Sequence, residues 1–281
     1  MKADAISIVE AAYDCESDSR SWFRHLLEKV SPKLDRGFGV QMATYAPNMR
    51  PEELTFETHG MAREWEPRFM AAIHAMIAAY PHFLHTAFSP TAPSLAPHGT
   101  TTSALGLTVD QARGWAPFIE YMHPLGVQDN IGVLSRDPSG HVIFITAPSP
   151  DLRRPSRPEV ATWSRIATHI SAGARLRRAF SAAPTGDLSE GADVVLSPSG
   201  SVKHAEVGAQ SPNAIESVRR AAKAIDRARS KARSNEDEAL DLWQGLVAGR
   251  WSRGSRVLAA LGSRHLELAI RAQRQQRGAL Q

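Results

Sequence analysis

His74, His82, His85 and His98 fall within one stretch of the chain, and His82-Phe83-Leu84-His85 spaces two imidazoles as i and i+3. On a helix that spacing puts both rings on one face, where they could take zinc. Pro81 precedes the pair and no Cys or carboxylate lies nearby to complete a tetrad, so no metal site is expected. Cys15 is the single cysteine. Its neighbours Asp14 and Glu16 disfavour a thiolate, so it reads as inert rather than as an attachment point for a chromophore. Asp129 and Asp137 flank a turn, where Asp commonly serves backbone conformation. The chain contains no Gly-x-Ser-x-Gly elbow, P-loop, dinucleotide fingerprint or His-Glu-x-x-His. It is therefore not read as an enzyme, and no cofactor is expected.

Two other groups point to binding. Trp115, Phe118, Tyr121, Met122 and His123 gather just before Pro124-Leu125-Gly126. Apolar bodies with a few polar tips suit a small-molecule pocket, but the same residues at helical spacing also describe an ordinary core. Arg220, Lys223, Arg227 and Lys231 recur at i+3, i+4 and i+4, so they share one helix face that could meet phosphates. No interleaved aromatic or groove-reading motif accompanies them, and a solvated face is the simpler state.

These residues need elements to position them. Apolar periodicity predicts helices over 4–12, 19–31 and 62–79, with Pro32 and Pro81 ending the second and third. The run 37-GFGVQMATYAP-47 reads as a strand, and residues 89–103 as a loop. Residues 108–122 read as a helix interrupted by Pro117. In 129-DNIGVLSRDPSGHVIFITAP-148 two β runs flank Asp-Pro-Ser-Gly, a hairpin. A helix is predicted over 157–180, then a small polar linker over 181–192. A second hairpin follows in 193-DVVLSPSGSVKHAE-206, and helices over 212–233 and 236–248. This order implies an α+β fold, an antiparallel sheet with packed helices of the GAF or PAS kind.

The hydrophobic share of 42% and the charged share of 22% fit a globular chain with a sizeable core. No apolar run approaches a membrane span and no signal-peptide pattern opens the chain, so no membrane association is expected. With one cysteine, a reducing cytoplasm is the expected compartment. Charge is uneven. Residues 151–281 carry 22 basic and 13 acidic side chains, giving +9, against −3 for 1–60 and −2 for 61–150.

Residues 123-HPLGVQDNIGVLSRDPSGHVIF-144, 162-TWSRIATHISAGARLRRAF-180, 193-DVVLSPSGSVKHAE-206, 222-AKAIDRARSK-231 and 239-ALDLWQGLVAGRWS-252 together resemble bacterial LuxR-type transcription regulators with an N-terminal GAF-like sensory region. The resemblance implies a sensory domain over 1–180, the linker 181–192, and a partial PAS-like module of hairpin and helices over 193–252. A small effector would then lie between the sheet and the segment holding Trp115, Phe118, Tyr121, Met122 and His123. It also implies a further strand pair and a helix-turn-helix after Ser252. Neither is visible in the sequence. The tail 253–281, rich in Arg, Leu and Ala, reads as a basic helix left by a reading-frame change or a truncated gene.

The expected function is the sensory and interaction part of such a regulator, in signal transduction and transcription regulation. It would bind a small effector or mediate a homodimer through helix 160–180 or 19–31. An enzyme using a GAF-like pocket and a ligand-free dimerisation scaffold are the alternatives. Sequence-specific DNA binding is expected only of full-length relatives carrying a helix-turn-helix.

Overall fold

β-Formers bounded by turn chemistry build the strands of the first half, and alternating polarity decides which face each residue occupies. In the computed structural model, residues 4–15, 17–46, 49–50, 53–80, 98–101, 105–137, 139–181, 194–196, 201–205, 210, 212–247, 257–261 and 268–272 are described. The chain divides into two units, one built on Ser19–Ser171 and the other on Asp4–Asp18 with Ala172–Gln281. Residues 4–18 thus group with Ala172–Gln281. Of the expected linker 181–192, only Ser181, the end of a helix, lies within the described residues.

The first unit is α+β. Its five-stranded antiparallel sheet has the order β2-β1-β5-β4-β3, with β1 Val40–Tyr45, β2 Phe56–His59, β3 His98–Thr100, β4 Asp129–Arg136 and β5 Val142–Ser149. The β4–β5 hairpin forms where the turn residues place it. Asp137 Oδ1 accepts from Ser139 N at 2.8 Å and His141 N at 3.2 Å, and Gly140 takes a φ of 85°. His98–Thr100 lies in the stretch read as a loop. Its three residues pair with Ile131–Val133, so a partner strand supplies what local composition does not.

Register sorts the residues onto two faces. One carries Met42, Ile145, Val133 and His98 in a single row across four strands. Helix α2 (Ser19–Leu34) packs there, burying Trp22, Leu26, Leu27, Val30 and Leu34. Helix α5 (Arg157–Ser181) meets the same face: Trp163 stacks on His98 with ring centroids 5.6 Å apart, and Ser135 Oγ donates to Ala167 O at 2.5 Å. Helix α2 runs through Pro32 rather than stopping there. Proline at this depth removes a single amide near the helix end, and Asp35 N still donates to Ser31 O at 2.9 Å.

The opposite face carries Thr58, Gln41, Thr146, Gly132 and Gly99 in one row, and Phe56, Ala43, Phe144 and Leu134 in the next. Helix α3 (Glu66–Ala79) buries Phe69, Ile73, Met76 and Ile77 against Phe118, Met122 and Val127, and Phe56 packs on this cluster. The interruption at Pro117 is present. A short helix α4 (Val109–Arg113) stops at Gly114, and the chain continues as a π-helical turn, Phe118–Met122, and a 3-10 turn, His123–Leu125.

The second unit has a four-stranded antiparallel sheet, order β7-β6-β9-β8, with β6 Val194–Leu196, β7 Val202–Ala205, β8 Val257–Leu261 and β9 Leu268–Ala272. This corrects the helical reading of the tail. Residues 257–261 and 268–272 are strands, and β9 pairs with β6. Helix propensity in Leu- and Ala-rich sequence is a weak preference, and an available strand edge overrides it.

Helices α6 (Pro212–Arg229) and α7 (Glu236–Val247) share this unit with α1 (Ala5–Ala12). Arg233 Nε donates to Asp4 Oδ2 at 3.0 Å and its Nη2 to Ser7 Oγ at 2.8 Å, while Arg229 Nε donates to Glu10 Oε1 at 2.6 Å. Tyr13 stacks on buried Trp243 at 5.6 Å. A Cβ at Gly173 would stand 2.0 Å from Ala12 O, so only glycine lets α1 and α5 approach.

Two outcomes follow from this packing. A Cβ on Gly132 would lie 2.6 Å from Thr146 Cγ2 and 2.8 Å from Ile145 O, so Gly132→Ala should cost about 1–3 kcal/mol in urea unfolding. Adding Thr146→Ser, which removes the methyl, should recover part of that loss; no recovery would show that the clash is not with Thr146. Arg233→Ala should speed amide exchange in residues 5–13 by roughly tenfold or more, since hydrogen bonds to charged groups contribute about 1.5–3 kcal/mol. Unchanged exchange there would remove Arg233 as the tie.

Candidate functional site

Polar residues inside an otherwise apolar sheet face mark the site. Gln41 is 3% exposed and Asn130 9% exposed, both on the face turned toward α3. Gln41 Nε2 donates to Thr146 Oγ1 at 3.0 Å. Gln41 Oε1 and Asn130 Oδ1 are buried and have no hydrogen-bond partner among the described residues. Native proteins rarely leave such acceptors bare, because each costs about 1–3 kcal/mol in desolvation. Between them lie Thr146 and Gly132, both half-buried. Phe56 and Phe144 make the neighbouring wall, edge to face at 6.0 Å. At one end of the row Thr58 Oγ1 donates to Glu66 Oε1, at the start of α3.

The chemistry available is recognition. Carboxamides and hydroxyls offer donors and acceptors but neither gain nor lose protons near neutral pH. Gln41, Asn130, Thr146 and Thr58 were not singled out from the sequence. No regular polar spacing in VQMATY, DNIGVLSR or VIFITAPS singles them out. Only register reveals that Gln41 and Thr146 are opposite each other.

The residues proposed from sequence are placed as follows. Phe118 and Met122 are fully buried against α3, and Trp115 and Tyr121 pack on the same cluster. Trp115 stacks on Phe118 at 5.1 Å, and Tyr121 meets Tyr80 at 6.4 Å. His123 is half-buried at the start of the 3-10 turn. This group holds α3 beside the sheet. Arg220, Lys223, Arg227 and Lys231 are all exposed, and Arg227 is ion-paired with Glu238 of α7. His82 and His85 lie outside the described residues. His74 is exposed on α3, and Cys15 is half-buried. Among the described residues no three His, Cys, Asp or Glu converge as a metal site would require. No helix among them is long and apolar enough to cross a membrane.

A second polar cluster sits on the sealed face. His98 Nδ1 donates to Gly132 O at 2.8 Å, which fixes the neutral tautomer and leaves Nε2 without a partner among the described residues. Nearby, Thr100, Thr108, Arg153 and Arg154 line a cleft of about 20 Å3, room for a water molecule rather than a metabolite. Arg153 is already paired with Glu159 at 2.5 Å. The sheet face with the two bare acceptors is therefore the better candidate.

The sequence matches no known protein family and no curated protein.

Two buried imidazoles give the first unit an acid sensitivity. Burial drives His98 down to about 4, against the favourable bond to Gly132, and burial alone drives His169 to about 4. Between the ordinary value of 6.5 and about 4 the unfolded chain binds protons that the folded chain does not. Stability is therefore complete above 6.5 and falls as pH drops toward 4. The urea midpoint should be lower at about pH 5 than at about pH 7.5, and the double variant His98→Gln/His169→Gln should flatten that difference. Equal midpoints for the unaltered chain would contradict the assignment.

Proposed function

We propose that this protein is the sensory part of a transcription regulator of the LuxR type, and that its first unit binds a small effector on the sheet face beside α3. The observation that carries this reading is the pair of bare, buried acceptors on Gln41 and Asn130, set in an apolar surround. A surface of this composition, mostly apolar with a few placed polar groups, suits small-molecule recognition. The antiparallel sheet with helices on both faces is the architecture expected of a GAF-like sensor, and the residue stretches that resemble these regulators lie partly on it. Trp115, Phe118, Tyr121 and Met122 act in this reading by holding α3 over the site, so effector binding would be felt along α3 and the π-helical turn. The assembled form is a homodimer in the cytoplasm. The exposed row Arg220, Lys223, Arg227 and Lys231 gives DNA only a weak, salt-sensitive contact without sequence preference.

The test is retention of a small molecule. The full chain, exposed to a metabolite extract of bacterial cells, desalted and then denatured, should release a compound of low mass detectable by mass spectrometry. The variant Gln41→Met/Thr146→Val/Asn130→Leu should release none. Release of nothing from the unaltered chain, or equal release from the variant, would remove the effector site.

A further inference from the structure

We infer that the effector is a neutral molecule with an apolar, aromatic-sized body that carries N–H or O–H donors at two ends. This rests on the effector site proposed above and adds the class of ligand it takes. The row Thr58, Gln41, Thr146, Gly132, Gly99 and the flanking Asn130 contain no ionisable group. Among the described residues, Glu66 reaches the row and is engaged by Thr58 at its end, and Asp129, whose side chain belongs to the opposite face, accepts from Asn130 N. A charged ligand centred on the row would be buried without a counter-charge, at a cost of several kcal/mol. A neutral ligand meets no such penalty.

The free atoms decide the polarity of the ligand. What is bare is an amide oxygen on Gln41 and another on Asn130. The nitrogen of Gln41 is already used on Thr146. In that orientation Gln41 presents an acceptor, which a donor on the ligand meets. Asn130 offers the second. A ligand that satisfies both removes two desolvation penalties at once, and one that lacks donors leaves them standing.

Dimensions follow from the sheet. Gln41 and Asn130 lie two strands and one residue pair apart, roughly 12 Å between Cα positions from strand spacing and rise. Side chains reaching inward bring their ends to the span of a one- or two-ring compound. Phe56, Phe144 and Leu134 present apolar surface alongside the row.

The acceptors also make a prediction in the absence of any ligand. If they serve the effector, they burden the free protein, and apolar replacements of similar volume should stabilise it. Gln41→Met has to be paired with Thr146→Val, so that no hydroxyl is left bare in turn. Melting is followed for the full chain, for Gln41→Met/Thr146→Val and for Asn130→Leu. Each is measured alone and with millimolar benzamide, benzoate or benzylamine, which share a ring and differ in charge.

The expected result is a melting temperature about 2–4 °C higher in each variant. Benzamide should raise the melting temperature of the unaltered chain in proportion to its concentration, with smaller shifts from the two charged compounds and none in the variants. A larger, variant-sensitive shift with benzoate or benzylamine would overturn the neutral class while leaving the site in place. Variants that melt lower, with no compound shifting the unaltered chain, would overturn both, because the two amides would then be holding the fold together.

Discussion

The contact between Gly132 and Thr146 fixes the first unit. These residues are directly opposite on β4 and β5, and the methyl of Thr146 occupies the space a Cβ on residue 132 would need. Side chains alternate between sheet faces with a period of two, so a slip of one residue would exchange the two faces completely. With this pairing in place, Ile131, Val133 and Ile145 go to the sealed face under α2 and α5, and Thr146, Gln41 and Asn130 go to the other. The apolar core and the candidate site are two consequences of one register.

Both faces carry buried polar groups. On the sealed face Ser135 reaches Ala167 O and His98 Nδ1 reaches Gly132 O, while His98 Nε2 has no partner among the described residues. On the other face two amide oxygens are left bare in equally buried positions. A fold under selection for stability alone would replace them with apolar residues of similar size. Their presence at two points of one sheet surface is therefore the most economical sign that this surface meets something besides the protein.

The second unit depends on a different device. Its N-terminal helix is brought to α6 and α7 by Asp4 and Glu10, which share Arg229 and Arg233, and it is let in by the absence of a side chain at Gly173. These charges and the glycine act beside the buried Ile6, Ile8 and Val9 of the helix. Two hundred residues separate the partners, so nothing in the local pattern around residue 10 announces them. The paired strands 257–261 and 268–272 are similar in kind: they are strands because β6 offers an edge, and sequence rich in Leu and Ala would otherwise favour helix.

The sequence by itself determined the elements whose signals are local. The hairpin around Asp137 and Gly140, the helices read over 62–79 and 157–180 and found at Glu66–Ala79 and Arg157–Ser181, and the break at Pro117 all follow from periodicity and turn chemistry close in sequence. Of the proposed pocket residues, Trp115, Phe118, Tyr121 and Met122 do gather in one cluster, because helical spacing already placed them on one side. What only the tertiary structure decided is non-local. The register put Gln41 opposite Thr146 across 105 positions of chain. Strand pairing made β3, β8 and β9 out of segments whose composition pointed to loop or helix, and the Arg–carboxylate ties moved residues 4–18 into the unit of the C-terminal half. Each of these rests on a partner distant in sequence, and the energy that selects it exists only once that partner is in place.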